Sequence, residues 1–245
     1  MKVALVGDVH ANLPALEAVL AHAAQQGVDA IWNTGDFVGY GAFPDLVVRR
    51  LNDAGAVSIR GNYDTKALKA PQKAGKWQGR KHPDKILAFQ WAYDHLSEES
   101  RVYLAGLPKE ILLEAEGWQI LLTHGSPESA EEHLSPTTPD TRLAELAALT
   151  PADVIIFGHS HRAFVRKAAG KWFINTGSVG RPDDGDPRAC YALLYLEPGS
   201  LGVCHIRLAY DVETAILAIR RNGLPEVFAD MISNGRNLDR VREQG

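Results

Sequence analysis

The chemistry of this chain is carried by short stretches that pair glycine with hard ligands. They are Gly7-Asp8-Val9-His10, Gly35-Asp36, Gly61-Asn62-Tyr63-Asp64, Thr123-His124-Gly125 and Gly158-His159-Ser160-His161. Each follows an apolar run, so each carboxylate, amide or imidazole falls where a buried strand ends. In open α/β sheets ligands bind at the carboxyl ends of the strands. Asp8, His10, Asp36, Asn62, His124, His159 and His161 are oxygen or imidazole donors, with no thiolate among them. That mixture suits Mn, Fe or Zn better than a cysteine-built structural zinc site. Seven donors exceed the needs of one ion and suffice for two, with one carboxylate shared. Two ions about 3.5–4 Å apart can clamp an in-line phosphoryl displacement and supply a hydroxide at neutral pH.

The elements that must position these donors follow from hydrophobic periodicity. Residues 2–7, 29–34 and 56–60 are short runs rich in Val and Ile, separated by helical patterns at 13–25 and 44–53. Strand–helix–strand–helix–strand predicts parallel strands with right-handed crossovers. Helical patterns return at 84–95, 98–105 and 140–148. A buried strand is predicted at 154–157, with hairpins at 110–115/118–123, 163–168/171–175 and 189–196/201–208. Two amphipathic helical patterns, 211–221 and 225–232, end the chain. Two packed sheets with helices outside both accommodate this order. We expect a single domain over 1–245.

Residues 65–82 mix Lys66, Lys69, Lys73, Lys76, Arg80 and Lys81 with Gly and Pro, and read as a loop or lid. The turn Glu197-Pro198-Gly199-Ser200 has Pro and Gly where a type II turn wants them. If residues 196 and 201 face each other, Cys204 lies opposite Leu193, and the thiols of Cys190 and Cys204 point to opposite faces. No disulfide is expected, buried free thiols being the default, and this fits a reducing cytoplasm.

The composition is that of a globular protein: 245 residues, 45% hydrophobic, 23% charged, net charge −4. It lacks the basic footprint of a general nucleic-acid binder, so no stable nucleic-acid binding is expected. No signal peptide and no membrane-spanning run is seen. There is no Gly-rich phosphate loop, no dinucleotide-fold glycine triplet and no nucleophile elbow.

The order Asp8-x-His10, Gly35-Asp36, Gly61-Asn62-x-Asp64, His124, Gly158-His159-x-His161 resembles the calcineurin-like metallophosphoesterases, most of all their small bacterial and archaeal phosphodiesterase branch. The resemblance runs from Met1 to about Tyr210, and Asn175-Thr176-Gly177-Ser178-Val179-Gly180 also resembles that branch's late glycine-serine turn. It implies an α/β fold, a four-layer α/β/β/α sandwich with two mixed β-sheets. It implies one ion on Asp8, His10, Asp36 and His161, and another on Asp36, Asn62, His124 and His159. It also implies hydrolysis of a phosphate ester by in-line attack of a metal-bridging hydroxide, with manganese as the leading metal and Fe, Zn or Ni as alternatives.

Asn62 and Asp64 are the catalytic candidates on this reading. One position departs from the family pattern: Tyr63 stands where many members carry a histidine thought to protonate the leaving group. A phenol with its usual pKa near 10 suits that work poorly. His133 and His82 are the replacement candidates, or the leaving group needs little help. Arg60 is a candidate phosphate contact or a loop anchor, and Tyr40 could stack on a base or aryl group. Arg181 and Arg188 flank an acidic stretch, where local ion pairs suffice for Arg188. His22, His95 and His205 read as structural. A small phosphoester, including a nucleotide, is the expected substrate. Dinucleoside polyphosphate hydrolysis, protein phosphatase activity and a non-catalytic metal-binding scaffold remain open, as does a homo-oligomer.

Overall fold

The computed structural model describes residues 1–243. Its first half forms as the periodicity predicts: β1 (Lys2–Val6), α1 (Leu13–Gln25), β2 (Ala30–Asn33), α2 (Pro44–Asp53) and β3 (Val57–Ser58). β1 and β2 are parallel, as are β2 and β3. The late hairpin, β9 (Ala189–Glu197) and β10 (Ser200–Leu208), joins β1 from the other side, giving a five-stranded sheet ordered β10-β9-β1-β2-β3. The remaining strands are β4 (Glu110–Ala115), β5 (Trp118–Thr123), β6 (Val154–Phe157), β7 (Phe164–Ala168) and β8 (Lys171–Asn175). They form a second mixed sheet, ordered β4-β5-β6-β8-β7.

Strand alternation then builds the layers. Val3 and Leu5 of β1 face the other sheet, in one cluster with Ile120, Leu122, Val154 and Ile156. Ala4 and Val6 face the opposite way, against Leu16 and Val19 of α1 and Val47 and Leu51 of α2. The outer face of the second sheet offers Leu121, Ile155 and Phe173 to Leu143 and Leu146 of α6 (Asp140–Ala148). The result is the expected α/β/β/α sandwich. Burying each such side chain contributes roughly 1.5–3 kcal/mol.

The late hairpin has the expected register, with Leu196 opposite Leu201 and Cys204 opposite Leu193. Both cysteines are free thiols. Cys190 is buried as expected, but Cys204 is exposed, because β10 is an edge strand with an uncovered outer face.

One segment differs from expectation. Most of 65–82 is not a loop: α3 runs from Asn62 to Trp77, through Pro71. Its Lys and Ala residues are strong helix formers, and Ala67 and Ala70 bury its thin apolar edge. Next come α4 (Pro83–Asp94) and α5 (Glu98–Gly106). The chain closes with α7 (Val212–Arg221), α8 (Glu226–Asn234) and the short α9 (Leu238–Arg242). These terminal helices pack onto the body, with Phe228, Met231 and Leu238 in one cluster with Tyr40 and Ala88.

Candidate metal centre

The donor loops lie at the carboxyl ends of the strands and are laced to one another. The Asp8 amide donates to the Gly35 carbonyl and the His10 amide to the Asp36 carbonyl, tying the turn after β1 to the turn after β2. The His159 amide donates to Asp8 Oδ2 at 2.9 Å, joining the second sheet to the first. The Ser178 hydroxyl and the Gly180 amide both donate to the Asp8 carbonyl, so the late glycine-serine turn closes the loop from behind.

These turns are strained. Asp8, His10, Asp36, His159 and His161 all have φ between 49° and 64°, in the left-handed region. Such strain costs of order 1–3 kcal/mol per residue and collects at functional sites. The neighbouring glycines permit the crowding. A Cβ on Gly61 would lie 2.1 Å from Asp36 Oδ1, and one on Gly158 would lie 2.3 Å from Asp8 Oδ2.

The donor atoms fall into two adjoining groups, Asp8/His10/His161 and Asp36/His124/His159, each within 4.8 Å. His10 Nε2 is 3.2 Å from His161 Nε2, and His159 Nδ1 is 3.3 Å from His124 Nε2. Asp36 stands between the groups: its Oδ2 is 3.8 Å from His10 Nε2 and 3.4 Å from His124 Nε2. Its Oδ1 is occupied by the Tyr63 amide at 2.7 Å. Backbone carbonyls orient the rings. His10, His124 and His161 direct Nδ1 to the carbonyls of Val38, Thr34 and Arg181. In the tautomer with the proton at Nδ1, each Nε2 would offer its lone pair to the centre.

The electrostatics hold two of the imidazoles, His10 and His159, in ligand form and give a third, His124, a proton that a bound cation would displace. Burial depresses His10 well below the ordinary histidine value, and Arg181 pushes the same way. His159 is pushed down to about 2 by burial and by His124. Burial raises Asp8, but His161, His124 and the His159 amide together outweigh it, and Asp8 titrates below the usual carboxylate value. His124 goes up to about 9: burial lowers it, and the Asp36 carboxylate more than compensates.

Do these residues fit metal ions? Three buried atoms answer. Asp8 Oδ1, Asn62 Oδ1 and His159 Nε2 have no hydrogen-bond partner. An unsatisfied buried polar group costs about 1–3 kcal/mol, and two of these atoms belong to residues of the two donor groups, Asp8 and His159. The donor chemistry, carboxylate and imidazole with one amide, fits divalent cations.

The remaining predicted residues divide. Asn62 opens α3 beside Asp36 and is buried. Asp64 is not placed for catalysis: it is fully buried, Oδ2 accepts the amides of Asp36 and Gly61, and Oδ1 accepts that of Val38. Burial and the Asp36 charge raise it to about 7. It clamps the loops. Arg60 does not point its guanidinium at the centre; Nη1 donates to the carbonyls of Ala105 and Leu104, at the end of α5. It therefore anchors a loop, through carbonyls instead of a carboxylate. Tyr40 is not a free stacking platform. It is 4% exposed, one face carries the Arg181 guanidinium, and Phe228 packs edge-on against it. Tyr63 packs edge-on against His10, with ring centroids 5.0 Å apart. Of the two spare histidines, His133 lies against His159, centroids 4.2 Å apart, whereas His82 caps α4. Arg188 pairs with Asp186. His22 bonds Tyr191, His95 bonds the Trp91 carbonyl and His205 bonds the Asn175 carbonyl.

Arg181 is the residue whose importance the sequence did not reveal. It is only 9% exposed and no carboxylate lies within ion-pair distance among the described residues. Its Nε is buried without a partner, and Nη2 lies 3.3 Å from His161 Nε2. It lines a cleft of about 150 Å³ with Asp36, Tyr63, His133 and His159.

A two-sheet sandwich with this donor set at one edge defines a metal-dependent hydrolase of phosphoester bonds. A family model, the calcineurin-like phosphoesterase superfamily domain, matches residues 1–199. The chain belongs to that superfamily. It is 30% identical to an uncharacterized protein of Methanocaldococcus jannaschii, over 96% of this chain and 98% of that one. It is 27% identical to phosphodiesterase YfcE of Escherichia coli, over 79% and 87%. Among solved structures, a metallophosphoesterase of Sphaerobacter thermophilus superposes with a TM-score of 0.76 at 30% identity, covering 96% of this chain and 99% of that one. A hypothetical protein of Pyrococcus horikoshii shares the fold with a TM-score of 0.86 at 21% identity, covering 96% and 98%.

Proposed function

We propose that the chain is a two-metal phosphodiesterase. The observation that carries this reading is the convergence of six donors in two adjoining groups, with Asp8 Oδ1 and His159 Nε2 left without a hydrogen-bond partner. Asp8, His10, Asp36 and His161 would hold one ion, and Asp36, Asn62, His124 and His159 the other, with manganese the leading candidate. Bound ions supply Lewis acidity and make water a competent nucleophile near neutral pH.

The chain's own residues do the rest. Asn62 holds the phosphate together with one ion. Arg181 presents unpaired N–H groups to the phosphate from the His161 side, in the planar geometry that suits phosphate oxygens. Asp64 keeps the loops carrying Asp36 and Asn62 in register. Tyr63 walls the cleft. Without a histidine at position 63, good leaving groups are favoured, so activated diesters or phosphoanhydrides are preferred over alkyl monoesters. A non-catalytic metal-binding scaffold is disfavoured, because scaffolding does not require so many aligned donors.

The test is hydrolysis of bis-p-nitrophenyl phosphate by chelator-stripped protein, with and without Mn²⁺. Restored turnover that Asp36→Ala abolishes supports the reading. Protein that binds two ions yet hydrolyses nothing with Mn²⁺, Fe²⁺, Ni²⁺ or Zn²⁺ overturns it.

A further inference from the structure

Beside the candidate centre lies a second, larger cavity, a groove of about 780 Å³ between α3 and residues 126–131. It reaches Asn62 and Thr123 at one end and Trp77 at the other. One face of α3 lines it. Asn62, Lys66, Lys69, Lys73 and Trp77 recur at three- and four-residue steps, which places them on one side of a helix. At the α-helical rise the stripe is about 22 Å long.

The charge in this groove is unbalanced. Lys66 is paired with Glu131 across it at 2.9 Å, and Glu128 is taken by Arg142. Among the described residues Lys69, Lys73, Lys81 and Lys109 have no carboxylate within ion-pair distance, and Glu110 is the one unpaired acid on the wall. Four lysines without a carboxylate partner, against one such acid, make a local excess in a chain of net charge −4. Cations concentrated in a cleft raise the local concentration of anions. Trp77, half-buried against Phe89 with ring centroids 5.6 Å apart, adds an aromatic surface at the far end.

We propose that this groove binds the part of the substrate beyond the scissile phosphate, and that this part carries further phosphates. The proposal rests on the phosphodiesterase reading for the position of the scissile group. The groove is too long for one phosphate and is continuous with the Asn62 side of the centre. An extended chain of phosphates could come from a polyphosphate tail or from a short oligonucleotide.

The test uses metal-stripped protein, so that binding is read without turnover. The probes are inorganic tripolyphosphate, by calorimetry, and a fluorescein-labelled 5′-phosphorylated tetrathymidylate, by anisotropy. The variant is Lys69→Gln/Lys73→Gln, with Lys76→Gln, on the same helix outside the groove, as the comparison. At least one probe should bind, and the double variant should weaken it fivefold or more, with Lys76→Gln much less affected. For the oligonucleotide, the slope of log affinity on log salt should fall by about 1.4, at about 0.7 per phosphate contact. Binding of tripolyphosphate alone identifies a polyphosphate tail, and binding of the tetranucleotide without displacement by tripolyphosphate identifies an oligonucleotide. Absence of binding by both probes at low salt overturns the proposal, as does equal loss in the double variant and in Lys76→Gln. Turnover of bis-p-nitrophenyl phosphate, which carries no further phosphate, tests the phosphodiesterase reading separately.

Discussion

The hydroxyls of Tyr63 and Tyr40 are hydrogen-bonded at 2.7 Å. This contact gives the unusual Tyr63 a structural occupation at the edge of the cleft. Burial raises Tyr63 well above the ordinary tyrosine value, and Tyr40 adds to the rise. The proton stays on the phenol.

Tyr63→Phe should therefore leave kcat for bis-p-nitrophenyl phosphate within about threefold of the parent while lowering stability by about 1–2 kcal/mol, since the buried Tyr40 hydroxyl loses its partner. Steady-state kinetics and urea unfolding check both. A hundredfold loss of kcat with unchanged metal content would show that the phenol takes part in the chemistry.

Arg181 yields a prediction of mixed sign. Arg181→Met should weaken inhibition by inorganic phosphate about tenfold, roughly 1.4 kcal/mol. The same change should leave the melting temperature unchanged or raise it, because a buried guanidinium without a carboxylate is removed. A large drop in melting temperature would assign Arg181 to the scaffold.

The inter-sheet layer should be sensitive to voids. Leu5 is fully buried between the sheets. Leu5→Ala should cost about 2–5 kcal/mol in denaturant unfolding. A cost below 1 kcal/mol would contradict a close-packed layer there.

Acid sensitivity should reside partly in the loop after the glycine-serine turn. Arg188 grips Asp186 through two nitrogens, and Asp186 titrates at about 2, below its usual value. A depressed carboxylate contributes stability that is complete above its unfolded pKa and is lost as pH falls through the folded one. The loss should thus fall between about pH 4 and 2. Asp186→Asn should flatten stability over that window, as read by circular dichroism, and added salt should blunt the difference because the pair is near the surface. Identical acid curves would remove Asp186 from the account.

The gathering of the candidate donors was legible in the sequence because each one is local: it sits beside a glycine at the end of an apolar run, and strand order brings such ends together. Arg181 was not legible. Its burial is a product of chain folding, with Tyr40 covering the guanidinium and Phe228 in turn packed on Tyr40. Asp64 had the right type and spacing for catalysis, and only the hydrogen bonds show that both oxygens are spent on amides. The lysine-rich stretch read as a loop because Pro71 and Gly75 look like breakers and the helix carries no wide apolar stripe. Short alanines and the packing of α3 on α4 supply what the pattern lacked.

The two sheets contribute unequally to the centre: Asp8, His10, Asp36 and Asn62 follow strands of the first, His124, His159 and His161 those of the second. An ion shared between them would act as a rivet at one edge of the sandwich. Sliding or splaying of the layers would then have to break coordination before it disturbed the apolar seam. Loading the protein at a hundred times the dissociation constant should add about 2.7 kcal/mol to its resistance to unfolding. Chelation should do the reverse, loosening the joint between the halves first at the open, catalytic end.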